Sequence, residues 1–209
     1  MLLLAAACAR AELIDRIAVS IGNTVITTSD IDREIRVTAF QSGETPDFSP
    51  AHRRQTAQRM VDQQLIRREM EVSSYPLPDP TEAGPLLEQL RTSRYGNDAA
   101  AYQKALADYG ITEQDVKDEL LRQLTLLRFI EVRFRPAVHV SDQEIEDYFE
   151  KRIKPSEQAA KPGQPVSLEQ FRNLIEATLA EKRTDQEVES WLADVRKRTD
   201  IIFHPEAFE

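Results

Sequence analysis

Apolar residues alternate with polar ones at the two ends of the chain and recur every three or four positions between them. Residues 16–21, RIAVSI, place Ile17, Val19 and Ile21 on one face of an extended segment. Gly22-Asn23 follows, then Thr24-Val25-Ile26-Thr27, the pattern of a tight β-hairpin whose turn uses the positive φ open to Gly. A lone hairpin is marginal in water and needs a further strand or a helix. Asp200-Ile201-Ile202-Phe203-His204, stopped by Pro205, offers that strand. The two ends are therefore expected to meet in one small antiparallel sheet.

Between the ends, caps and stripes predict helices. Ser29 with Asp32 opens one that runs to about Phe40. Ser49-Pro50 starts a long helix with Pro in its first turn, carrying Ala57, Met60, Val61, Leu65, Ile66 and Met70 on its apolar face. The prolines of Tyr75-Pro76-Leu77-Pro78-Asp79-Pro80 end it. A helix over about 81–94 stops at Gly96, and Asn97 or Asp98 caps a short one with Tyr102, Leu106 and Tyr109, closed by Gly110. Thr112 with Asp115 opens the most regular stripe: Val116, Leu120, Leu124, Leu127, Ile130 and Phe134. Pro136 ends it, and Ser141 with Glu144 caps a further helix through Tyr148 and Phe149.

Residues 153–166, IKPSEQAAKPGQPV, hold three prolines and a glycine without sustained periodicity and read as a linker. Ser167 with Gln170 starts a helical run to about Arg198. Phe171, Leu174, Ile175 and Leu179 face inward first, then Val188, Trp191, Leu192 and Val195. The polar stretch Glu181 to Asp185 leaves one long helix or two as alternatives. The expected fold is mainly α, a multi-helix bundle with a small antiparallel sheet built from an N-terminal hairpin and a C-terminal strand. The expected organisation is a leader at 1–11, a core part at 12–152, the linker at 153–166, and a returning helix and strand at 167–209.

Composition narrows the function. The 209 residues carry 36 acidic against 27 basic side chains, a net charge of −9. That balance disfavours a general nucleic-acid binder, whose affinity comes largely from phosphate neutralisation. The six glycines, at 22, 43, 84, 96, 110 and 163, allow no G-x-G-x-x-G or Walker-type loop. No segment approaches the roughly 18 apolar residues of a membrane span. The opening MLLLAAACARA reads as the remnant of a secretory leader, with Ala9-Arg10-Ala11 before the cut. A lipoprotein signal acylated at Cys8 and an apolar terminus with no targeting role are the alternatives. Export to the periplasm is the expectation.

Catalytic signals are sparse. His52, His139 and His204 lack partners at metal-ligand spacing, and no G-x-S-x-G elbow exists. Carboxylates two apart, such as Glu144/Glu146 and Glu187/Glu189, point to different sides of a helix. No cofactor, metal or catalytic residue is expected. What remains is apolar surface: Phe40, Phe48, Met60, Met70, Tyr75 and Tyr95 lie near helix ends or loops and are candidates for a groove that takes extended peptides. For each of them, plugging the core is the competing reading.

The order of these segments resembles a known family. The stretches I-D-R-I-A-V-S-I-G-N-T-V-I-T-T-S-D-I-D (14–32), R-R-Q-T-A-Q-R-M-V-D-Q-Q-L-I (53–66), Y-G-I-T-E-Q-D-V-K-D-E-L (109–120), V-S-D-Q-E-I-E-D-Y-F (140–149) and E-S-W-L-A-D-V-R-K-R-T-D-I-I (189–202) are similar to the chaperone domain of the SurA-like periplasmic foldases. The resemblance implies a discontinuous chaperone core whose C-terminal helix and strand return to the N-terminal part. It also implies parvulin-type prolyl isomerase domains inserted before that return. Here the corresponding place is 153–166, too short for a domain of roughly a hundred residues. The resemblance therefore implies ATP-independent binding of unfolded exported or outer-membrane clients without isomerisation. A prolyl isomerase with a cryptic site, and a structural or lipoprotein subunit binding one folded partner, are the alternatives. Dimerisation is left open.

Overall fold

The computed structural model describes residues 15–96, 98–160 and 163–209. The leader reading, Cys8 included, lies outside them. The fold is mainly α with one small sheet. Strands β1 (Ile17–Ile21) and β2 (Thr24–Thr27) form the hairpin, and β3 (Ile201–Phe203) joins β1 on its other side. The sheet order is β2-β1-β3, antiparallel throughout. Gly22 turns the hairpin at φ 56° and donates its N–H to the Asp200 carbonyl, so the turn itself is stitched to the C-terminal strand. A bulge at Ala18 breaks the expected alternation. Val19 and Ile21 stay in the core with Ala18, while Ile17 turns out to solvent.

Helix α1 (Thr28–Ser42) begins one residue before Ser29. Thr27 and Asp30, not Ser29 and Asp32, form its capping box, with the Thr27 hydroxyl and N–H both bonded to the Asp30 carboxylate. Asp32 is instead held by a two-pronged ion pair with Arg53, at 2.8 and 3.0 Å. Gly43 closes α1 in the left-handed conformation, and Arg94 donates to the Phe40 and Gln41 carbonyls at that same end. Helix α2 (Pro50–Val72) is capped by Ser49. After a 3₁₀ turn come α3 (Ala83–Tyr95) and α4 (Ala99–Tyr109), the latter capped by Asp98 and closed by Gly110.

Helix α5 (Glu113–Arg133) carries the expected Thr112–Asp115 box. Its inward face is turned relative to the predicted stripe. Phe129 is fully buried, whereas Leu127 is 59 % exposed. Helix α6 (Asp142–Tyr148), boxed by Ser141 and Glu144, continues through a π-helical turn (Phe149–Ile153) into α7 (Lys154–Ala160). The first half of the stretch read as linker is thus helical. Pro155 directly follows the π turn, where the i→i−4 ladder is already interrupted and its missing N–H is accommodated. The run from Leu168 to Arg198 is a single helix, α8, across its polar middle.

Among the described residues the core falls into four clusters. The sheet packs on α1 and α2 through Val19, Ile21, Ile31, Ile35, Val61 and Leu65, with Ala207 and Phe208 closing its end. A second cluster joins α1 to α3, α4 and α5 around Phe40 and Tyr102. The third joins α2, α5 and the C-terminal half of α8 around Met70, Phe129 and Leu192. Arg196 reinforces that junction by a forked ion pair with Asp62, both bonds 2.7 Å, which holds the Arg196 charge more firmly than usual. The fourth cluster, around Ile145, Phe149 and Ile175, joins α6, the π turn and the N-terminal half of α8.

Candidate functional site

Helices α1, α2 and α5 each take part in two of the first three clusters, and the space between them is a groove of about 560 Å³. Strand β2 contributes Val25 and Ile26 to its wall, and the loop before α3 contributes Leu77, Pro78 and Pro80. Val25 and Leu77 are large apolar side chains left exposed at its edge. Met60, Leu121 and Leu126 extend the apolar lining. Gln63 and Gln64 project from α2, and neither side chain makes a hydrogen bond among the described residues. Apolar walls with free amides suit an extended peptide, whose side chains need cover and whose backbone needs partners.

A buried ion cluster lies at the seam between α1 and α5. Glu34 is 6 % exposed and Glu119 4 %. Arg122 lies between them, 2.7 Å from Glu34 and 2.8 Å from Glu119. Gln123 completes the set by donating to Glu119 at 2.8 Å. Burial and the neighbouring Glu119 push the Glu34 carboxyl up to about 7, against the pull of Arg122. Burial opposes the Arg122 charge, but the two carboxylates outweigh it and hold the guanidinium charged. Glu34 and Arg122 both line the groove.

The residues marked out from sequence do not converge on this groove. Phe40 and Met70 are core residues, 1 % and 0 % exposed, and line no open surface. Tyr95 stacks on Phe40 with ring centroids 6.1 Å apart. Tyr75 packs against Phe129. Phe48 is held between the guanidinium groups of Arg36 and Arg53, at 5.4 and 5.7 Å. Only Met60 of the six lines the groove. For the other five, aromatic and sulfur side chains at helix ends close the seams between helices.

Glu34 and Glu119 carried a signal that composition hides. Ile31-x-x-Glu34-Ile35 and Val116-x-x-Glu119-Leu120 each set a glutamate inside an apolar helical stripe. A charge in that position is buried or misfolded, so two of them ask for a shared partner.

One further arrangement assembles from distant residues. Ser20 Oγ lies 3.1 Å from His204 Nε2, and His204 Nδ1 lies 3.8 Å from Glu206 Oε1. The order of groups is that of a nucleophilic triad, but the last link exceeds hydrogen-bond reach. Ser20 sits mid-strand opposite Ile202, with its backbone committed to the ladder. The Ser20–His204 bond ties the end of β3 to β1. Among the described residues no three of His, Cys, Asp and Glu gather as a metal site, and no helix is long and apolar enough to cross a membrane. Compared with known proteins, the chain matches no family model and no curated protein.

Proposed function

We propose that the protein is an ATP-independent chaperone that holds extended segments of unfolded polypeptides in the groove between α1, α2 and α5. The observation that carries this reading is the lining: apolar side chains from β2, α2, α5 and the Pro-rich loop share the groove with the amides of Gln63 and Gln64 and with charged groups such as Asp30, Arg67 and Asp118. Such a surface takes many sequences, because the amides address backbone and the apolar walls discriminate little. The returning α8–β3 segment, which closes the sheet, agrees with the SurA-like resemblance. On that resemblance the clients are exported or outer-membrane proteins in the periplasm. Binding is reversible, with no isomerisation and no covalent step.

Light scattering of a denatured outer-membrane protein diluted from urea tests the reading. Several-fold excess of the protein suppresses aggregation. No suppression, or retention of a single folded partner in place of unfolded chains, overturns it.

A further inference from the structure

The groove holds a second property, built from groups far apart in the chain. Glu34 on α1 and Glu119 and Arg122 on α5 close the seam beneath it, and positions 34 and 122 are 88 residues apart. Two buried carboxylates share one guanidinium. In that arrangement the two anions repel unless one takes a proton.

We propose that the Glu34–Arg122–Glu119 cluster is a proton-operated latch that sets how tightly α1 and α5 close the floor of the groove. With a proton on Glu34, the seam carries one carboxylate against one guanidinium and is neutral. With both carboxylates ionised, a net negative charge is left on two buried carboxylates, and separating α1 from α5 lets more water reach them than arrives past the part-exposed Arg122. Proton loss therefore opens the groove. Raising pH through neutrality is the trigger, consistent with the position of Glu34 in the titration range.

The surroundings leave this cluster to set the response. On α1, Asp30 and Arg33 lie a turn away, and Arg33 pairs with Asp30 at 3.4 Å and with Asp115 of α5 at 3.6 Å. On α5, Asp115 and Asp118 line the outer groove, the latter bonded to Gln114. On α2, the lining charge is Arg67, paired with Glu71 at 3.1 Å. Strand β2 and the loop at 77–80 contribute no titratable group to the lining. On α4, Lys104 and Asp108 pair with each other at the surface. Burial and the facing Glu119 raise the Glu34 carboxyl from the ordinary carboxylate range.

The sign follows from linkage. A carboxyl whose folded pKa is raised stabilises the fold fully below its unfolded value, and that contribution is lost as pH rises through the folded value. The loss falls between 4.5 and about 7. The inference concerns regulation of the groove proposed above as a client site, but its readouts need no client. Melting temperature and Nile red fluorescence are followed from pH 5 to pH 8 for the wild type and for Glu34→Gln. The wild type loses roughly 5 to 10 °C over that range and binds more dye at the high end. Glu34→Gln, which cannot ionise, shows neither response and melts above the wild type at pH 8. Glu119→Gln removes the same repulsion and carries the test should Glu34→Gln not fold. A wild type flat in both readouts, or a variant that keeps the wild-type response, overturns the latch. Failure of the client assay with an intact latch overturns only the chaperone reading.

Discussion

The body around the sheet and the lobe formed by α6, the π turn, α7 and the N-terminal half of α8 are built by different means. In the body, contacts join residues far apart in the chain. Strand β3 pairs with β1 across some 180 positions, and Arg196 reaches Asp62 across 134. Helices α1, α2 and α5 each span two clusters, so disturbing one core reaches another. The lobe has a smaller core, with Ile145, Phe149 and Ile175 as its fully buried apolar residues. Besides that cluster, surface ion pairs tie α6 to α8, Arg172 with Asp142 and Arg183 with Glu144. Solvent and salt screen such pairs, so they add little to stability. The Glu144 carboxyl is held down to about 2 by the Ser141 N–H, the Ser141 hydroxyl and Arg183, which marks a firm cap and not a firm lobe. Leu174 faces solvent on the lobe side of α8. A compact, cross-linked body can hold a groove in shape, whereas a lobe with few buried contacts is the part that opens first.

The largest effect is expected where the body's helices meet. Phe129 contacts Tyr75, Phe134 and Trp191 and is fully buried. Phe129→Ala removes the centre of that cluster and costs about 3 to 5 kcal/mol. Chemical denaturation is expected to show one transition at lower denaturant, with loss of protection in α2, α5 and the C-terminal half of α8 together. A loss confined to α5 would break the picture of a cross-linked body. Ile175→Ala is the matching change in the lobe. It costs about 2 to 4 kcal/mol locally, capped by the lobe's own stability. Hydrogen exchange then quickens in α6 and the first half of α8 while the sheet keeps its protection. Equal exposure of the sheet would merge the two regions into one cooperative unit.

Much of the architecture was legible because local grammar and tertiary structure agree. Thr112–Asp115, Ser141–Glu144, Ser49-Pro50 and Gly22-Asn23 all act where their chemistry points. Departures arise where two local signals compete. Thr27–Asp30 and Ser29–Asp32 are both plausible boxes, and the forked Arg53 contact claims Asp32. Pro155 resembles a breaker yet is absorbed just after a π turn. The α5 stripe was read through Leu127, but its drift carries Phe129 inward, because a straight helix does not repeat at the spacing assumed.

The groove was far less legible than the fold. Its walls come from β2, α1, α2, the loop at 77–80 and α5, and no local pattern links Val25 to Met60 or Leu126. Choosing aromatic and Met residues by chemical type found seam fillers such as Phe40 and Met70, because the same softness that suits a binding surface suits a core. The glutamates inside apolar stripes, passed over in the sequence, would have been the better guide, since burying a charge needs a specific answer from elsewhere in the fold.

Photo-crosslinking tests most directly the proposal that the groove holds unfolded chains. A benzophenone side chain is placed at Gln64 in the groove or at Leu174 on the lobe, and each protein is irradiated with a denatured outer-membrane protein. Efficient capture from position 64 and background capture from 174 is the predicted result. Capture from 174 with none from 64 would contradict the groove as the client site.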